Sequence, residues 1–170
     1  YVTLGSMYDS VPHTRPLIIS GSMRGWEEPP NLGDITLTRS NYQGPTSMTG
    51  QISEMALRHG LATLSLMVRL PLYLQLDNDF AGGARVIDAL STFYGLGDSN
   101  PEAELGRKQY EQVTPAVLKN PQLAEVVHRL EREYDSKPLE EAHGEVELSP
   151  EVEKFLEELR LKTEGESQTG

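Results

Sequence analysis

The sequence predicts an α/β fold, with a largely parallel sheet in its first part and a helical second part. Three observations lead there. Short apolar runs punctuated by glycine and proline read as strands, an amphipathic helical segment lies between two of them, and from Pro101 onward the periodicity is helical only.

The opening YVTLGSM, residues 1–7, is the first strand. Leu17-Ile18-Ile19-Ser20, closed by Gly21, is the second, and 61–68, preceded by Gly60, is the third. Ile35-Thr36-Leu37-Thr38 is either a short fourth strand or part of a loop. Apolar runs that barely alternate suit strands buried on both faces of a parallel sheet. Between the second and third strands, Met48, Ile52, Met55 and Ala56 share one helical face, which predicts a helix over 46–59, with Gly60 where a C-terminal cap belongs. Strand, helix, strand in that order makes a right-handed βαβ unit the default expectation. A further helix is expected over 82–94, with Val86, Ile87, Leu90 and Phe93 inward and Gly95 as its stop.

The helical part begins at Pro101. Tyr110, Val113 and Val117 recur at helical steps, and Pro115 is expected to interrupt or kink their helix. After Asn120-Pro121 comes the stripe Leu123, Val126, Val127, Leu130, Tyr134. Ser149-Pro150-Glu151 opens a last helix whose apolar face is Val152, Phe155, Leu156 and Leu159. The expected organisation is a sheet portion over 1–100, a helical extension over 101–162 packing on the same domain, and a disordered polar tail over 163–170. The first strand starts at Tyr1, so the chain is expected to continue upstream.

Of the 170 residues, 26 are Asp or Glu and 15 are Lys or Arg, a formal net charge of −11. Residues 101–170 carry most of it, with 17 acids against 9 bases. Such a surface repels nucleic acid and anionic lipid, so neither is an expected partner. There is no cysteine, which removes disulfides, thiolate metal sites and thiol nucleophiles and suits a cytoplasmic location. No apolar run reaches membrane-spanning length, because Arg69 and Pro71 break the longest one.

Three segments could carry chemistry. In Ser10-Val11-Pro12-His13-Thr14-Arg15-Pro16, His13, Thr14 and Arg15 could bind an anion or move a proton; equally, the prolines stiffen a connection and the polar side chains hold backbone. In Tyr42 to Gly50, the turn with Gly44, Thr46 and Ser47 could hold a phosphate at a helix N-terminus, or simply cap that helix. Neither a P-loop nor a dinucleotide fingerprint is present. In Leu70-Pro71-Leu72-Tyr73-Leu74, Tyr73 lines a pocket or anchors the loop. His59 is expected to meet the C-terminus of its helix, and His128 to be solvated. No metal-binding or nucleophile-elbow spacing occurs, and no metal or cofactor is expected.

Together VPHTRP at 11–16, YQGPTS at 42–47, LPLYL at 70–74 and LAEVVHRLEREYD at 123–135 resemble the proteasome assembly chaperone family, in its bacterial branch and second-chaperone type. The resemblance covers about residues 1–160, the C-terminal two-thirds of the family domain. It implies a three-layer α/β fold related to purine nucleoside phosphorylases, homo-oligomers (trimers in bacterial members), a possible protein partner, and an upstream portion carrying further strands. It implies a non-enzymatic assembly or scaffold protein. A nucleoside- or anion-binding enzyme or binder is the alternative, and an ATP-dependent carboxylate–amine ligase the third reading. Two positions depart from the family pattern: Leu72 stands where a His is common, and the chain ends Ser167-Gln168-Thr169-Gly170 rather than in a hydrophobic-Tyr-x tail.

Overall fold

The computed structural model describes residues 1–27, 35–37, 47–97 and 99–136. The turn residues Gly44 and Thr46, the expected last helix and the polar tail lie outside the described residues. Four strands and four helices are described: β1 (Val2–Asp9), β2 (Ile19–Arg24), β3 (Thr36–Leu37), α1 (Met48–Arg58), β4 (Thr63–Pro71), α2 (Phe80–Tyr94), α3 (Pro101–Lys119) and α4 (Pro121–Ser136).

The sheet order is β1-β4-β2-β3. β4 pairs in parallel with β1 and antiparallel with β2, while β2 and β3 are parallel. The sheet is therefore mixed, and the expected βαβ unit between β2 and β4 is not formed. The chain passes through β3 before α1, and the strand that follows α1 enters the sheet between β1 and β2, running against β2. Its parallel partner is β1, which the sequence separates from it by about half a domain.

The expectation of strands buried on both faces also fails. Along β4 the deepest residues alternate: Leu64, Leu66 and Val68 are fully buried, whereas Ser65, Met67 and Arg69 are half-buried. One face carries the core, in which β4 packs with Leu17, Ile19, Ala89, Tyr110, Val117 and Val127, and α2 adds Val86, Leu90 and Phe93. Each such leucine or valine contributes about 1.5–3 kcal/mol when taken out of water. The other face bears Arg24, which pairs with Glu54 of α1, so α1 lies across the sheet from α2, α3 and α4. No residue of α1 is buried. The apolar face marked by the sequence is largely exposed, with Met48 77% and Met55 62% exposed. Periodicity finds the apolar side of a helix; it does not show that anything covers it.

Helix ends follow local chemistry. Asp79 caps α2 by accepting from the Gly82 N–H at 2.8 Å, so α2 begins two residues before the expected Gly82, and Gly95 ends it in the left-handed region at φ 64°. α3 runs unbroken through Pro115, against the expected interruption. Pro115 and Glu111 are both exposed, so the Glu111 carbonyl that loses its donor faces water. Asn100 ties α2 to α3, its Nδ2 donating to the Ala84 carbonyl at 2.9 Å and to Asp88 at 2.6 Å.

α2 and α3 cross closely because Gly106 has no side chain. A Cβ there would stand 2.6 Å from both the backbone nitrogen and the Cα of Ala81. Gly106→Ala is therefore expected to destabilise the fold by about 1–3 kcal/mol. Gly83, on α2, has open space around its missing Cβ, and Gly83→Ala is expected to stabilise by about 0.5–1 kcal/mol through helix propensity. Urea denaturation of the two variants should move the midpoint in opposite directions.

Candidate functional site

β1 ends at Asp9, β4 ends at Pro71 and β2 begins at Ile19, so the loops 10–18 and 72–79 leave the same end of the sheet. The Asp9 carbonyl binds both loops, accepting from the Val11 N–H at 2.9 Å and the Leu72 N–H at 3.0 Å. The Asp9 carboxylate holds Arg69 Nη1 at 2.6 Å, fixing the ends of β1 and β4 together. Two of the segments singled out in the sequence, 10–16 and 70–74, thus converge.

His13 stands at the centre of that convergence, only 5% exposed. Its backbone N–H donates to Tyr73 Oη at 2.8 Å, its Nδ1 lies 2.7 Å from the same oxygen, and its Nε2 lies 3.1 Å from Thr114 Oγ1. The proton positions follow from the last link. Thr114 gives its hydroxyl proton to the Tyr110 carbonyl at 2.7 Å, so toward His13 it accepts. Nε2 then carries the imidazole proton, Nδ1 accepts from Tyr73, and every partner is satisfied by a neutral ring. Burial lowers the His13 pKa, opposed by the charge of Glu131. Burial also raises Tyr73, so its hydroxyl stays protonated and able to donate. Tyr73 and Tyr110 meet the imidazole edge-on, at centroid distances of 5.6 and 5.8 Å.

Tyr110 continues the network, its hydroxyl donating to Asp79 Oδ2 at 2.8 Å while Asp79 Oδ1 caps α2. Burial holds the Tyr110 hydroxyl well above the usual tyrosine range, and the neighbouring Asp79 charge adds to this.

Thr14 and Arg15 are committed to α4. Thr14 Oγ1 donates to Glu131 Oε1 at 2.5 Å. Arg15 grips Asp135 with Nε at 2.9 Å and Nη2 at 2.7 Å, and reaches Glu131 with Nη1 at 3.3 Å. The Glu131 pKa is lowered, first by the Thr14 hydrogen bond, and that of Asp135 by its hydrogen bond from Arg15. Tyr134 adds a hydrogen bond to the Pro16 carbonyl at 3.0 Å. His128, as expected, is exposed, and its Nδ1 lies 3.0 Å from Glu131 Oε2. His59 is the C-cap residue of α1 and acts there through its backbone N–H.

Beside this cluster is an open cleft of about 540 Å³ between the 13–17 loop, α2 and α3. It is lined by the small residues Ala81, Ala84, Ala103 and Gly106 and by the charged Arg15, Arg85, Arg107, Asp88 and Glu111. Arg107 is engaged with Glu104 and Glu111, at 2.7 and 2.5 Å, and Arg85 Nε donates to the Leu17 carbonyl at 2.9 Å. Ser47 is not part of this region. It caps α1, accepting from the Gly50 N–H at 3.2 Å, and α1 lies across the sheet. Among the described residues there is no cluster of His, Asp and Glu able to hold a metal ion.

The structure adds Thr114, Tyr110, Asp79, Glu131 and Asp135 to the residues found by sequence. Asp79 was findable, since Asp three residues before Gly82 has cap spacing. Nothing local points from Arg15 to Asp135, 120 positions away.

Fold and site together define an α/β domain whose sheet-end loops are locked by a helical layer, beside an open cleft that lacks a nucleotide fingerprint. The chain belongs to the PAC2 family, whose family model matches residues 1–148. It is similar to a protein of unknown function from Corynebacterium glutamicum (21% identity, TM-score 0.68, covering 79% of this chain and 49% of that one). A Mycobacterium tuberculosis protein of unknown function is also similar (24%, 0.67, 79% and 45%). So is a proteasome-assembly chaperone homologue from the same organism (19%, 0.58, 74% and 52%). The chain thus spans about half the length of these solved structures. At these identities the likeness is one of fold. No curated protein matches the chain.

Two outcomes follow from the His13 network. Tyr73→Phe strands the His13 N–H and leaves Nδ1 without a donor, and is expected to cost about 1–3 kcal/mol in urea denaturation. The folded state prefers neutral His13, with a pKa below the ordinary 6.5. Its contribution is therefore complete above pH 6.5 and is lost as pH falls through the folded-state pKa. The urea midpoint should decline on acidification below pH 6.5, before carboxylates titrate, and His13→Gln should flatten that part of the profile.

Proposed function

We propose that this chain is part of a non-enzymatic, homo-oligomeric assembly or scaffold protein that works through contact with another protein. One observation carries the reading. The polar side chains that the sequence offered for chemistry at 13–15 and 73 are spent on internal partners, while β1 leaves Leu4, Met7 and Tyr8 exposed. A frame that rigid, with apolar side chains outward, suits binding a protein surface. Membership of the PAC2 family and the fold shared with the M. tuberculosis proteasome-assembly chaperone homologue support it. The family resemblance favours a trimer. Light scattering after size exclusion should give a discrete multiple of the monomer mass, and Leu4→Glu with Tyr8→Lys should reduce it. A monomer at every concentration, with no protein retained from native lysate, would overturn the reading.

A second reading is favoured by the cleft, whose lining brings Arg15, Arg85 and Arg107 together with small residues. On this reading the cleft takes a nucleoside or a small anion. Phosphate and nucleosides should then raise the melting temperature, and Arg15→Ala should abolish the shift. Absence of a shift with every ligand would sink it.

A further inference from the structure

The hydrogen bonds around His13 have room for one protonation state. The groups facing the ring come from three elements besides its own loop: Tyr73 after β4, Tyr110 and Thr114 on α3, and Glu131 on α4. Thr14 and Arg15 stand beside it on the 10–16 loop, and Asp79 is one step further out, on the Tyr110 hydroxyl. A second imidazole proton would go to Nδ1. Tyr73 Oη donates there at 2.7 Å while accepting the His13 N–H at 2.8 Å. The hydroxyl would have to turn and accept from the ring as well, losing the acceptor for its own hydrogen. The new charge would sit on a side chain 5% exposed, and both oxygens of Glu131 are already engaged, by Thr14 and Arg15 on one and His128 on the other.

The two anchors of the 10–16 loop therefore answer acid differently. Toward α4 it is held by Thr14 on Glu131, Arg15 on Asp135 and Tyr134 on the Pro16 carbonyl, none of which uses the imidazole. Hydrogen bonds from Thr14 and Arg15 keep those two carboxylates charged to lower pH than usual. Toward the 72–79 loop, the side-chain contact is the His13 ring itself.

We propose that His13 is a proton-operated latch, whose protonation lets Tyr73 and the rest of the 72–79 loop leave the 10–16 loop while that loop stays clamped on α4. Burial lowers the His13 pKa below the ordinary 6.5, so the open arrangement takes the proton first and gains as pH falls. The 72–79 loop also carries Asp79, the cap of α2, and His13, Tyr110 and Thr114 line the cleft, so opening alters one of its walls. The inference is separate from the proposed function: it concerns a contact between loops, whichever partner or ligand the protein has.

Amide hydrogen exchange on the full chain, expressed as protection relative to the unfolded rate, tests the latch. Protection of the His13 N–H, which donates to Tyr73, and of the Leu74 N–H, which donates to the Pro71 carbonyl, should fall about tenfold per pH unit below 6.5, until the folded-state ring protonates. Low urea should leave this exchange unchanged, as a local opening requires, but should quicken that of Leu66 in β4 and Leu130 in α4. His13→Gln should abolish the pH dependence at Leu74; if that variant does not fold, the urea response of the unaltered chain decides. Protection at His13 and Leu74 that is indifferent to pH, or that falls with urea in step with Leu66, would overturn the latch. So would Leu130 opening together with Leu74, since the α4 clamp would then have opened too.

Discussion

Everything described in this molecule is organised by one strand. β4 is flanked on both sides, parallel to β1 and antiparallel to β2, and its Leu64, Leu66 and Val68 form the floor on which α2, α3 and α4 pack. A strand in that position has its backbone groups taken up by neighbours. Its side chains alone then decide which face becomes the core. Leucine and valine at alternate positions, with Ser65, Met67 and Arg69 between them, set that face without ambiguity. Removing Leu66 would cost on the order of 2–5 kcal/mol, a large part of the stability of an ordinary domain.

The end of β4 also builds the locked cluster. Because β1 and β4 run in parallel, their C-terminal ends coincide, and the chain leaving each carries the residues that meet at His13. The interaction network there is polar but closed. The His13 ring nitrogens, the Tyr73 hydroxyl and the Thr114 hydroxyl form a chain in which each donor has an acceptor. A closed network of this kind fixes one arrangement of loops and helices against its alternatives. Arg15 extends the fixing to α4 through a two-pronged contact with Asp135, at distances typical of charge-assisted bonds. The result is a stiff loop platform next to a cleft, with α1 across the sheet from it.

How much of this was legible depended on range. The Gly95 stop of α2, the α4 stripe and the approximate extents of β1 and β4 follow from a few neighbouring residues, and the structure agrees with them within a small shift of ends, whereas β2 starts two residues later than expected and runs on through Gly21, which was expected to close it. The segments around His13 and Tyr73 were recognisable as special from proline placement and polar composition. Their partners were not, since Thr114, Glu131 and Asp135 come from helices more than 100 positions away from the 13–15 loop. The errors share one cause. Reading β2, α1 and β4 as a βαβ unit assumed that the strand after a helix runs parallel to the strand before it, and reading the strands as buried on both faces assumed that a nearly continuous apolar run has no half-exposed side.

The sequence by itself determined an α/β chain, the approximate positions of most of its described strands and helices, and the residues around which its polar cluster forms. Those features depend on local backbone preference and hydrophobic period, which a short stretch of chain contains in full. Only the tertiary structure decided that β4 runs against β2, that α1 turns its methionines outward, and that His13 and Arg15 are held by distant side chains. Each of these is a choice between arrangements with the same local propensities. It is settled by which buried faces and hydrogen-bonding groups can be satisfied together across the whole fold.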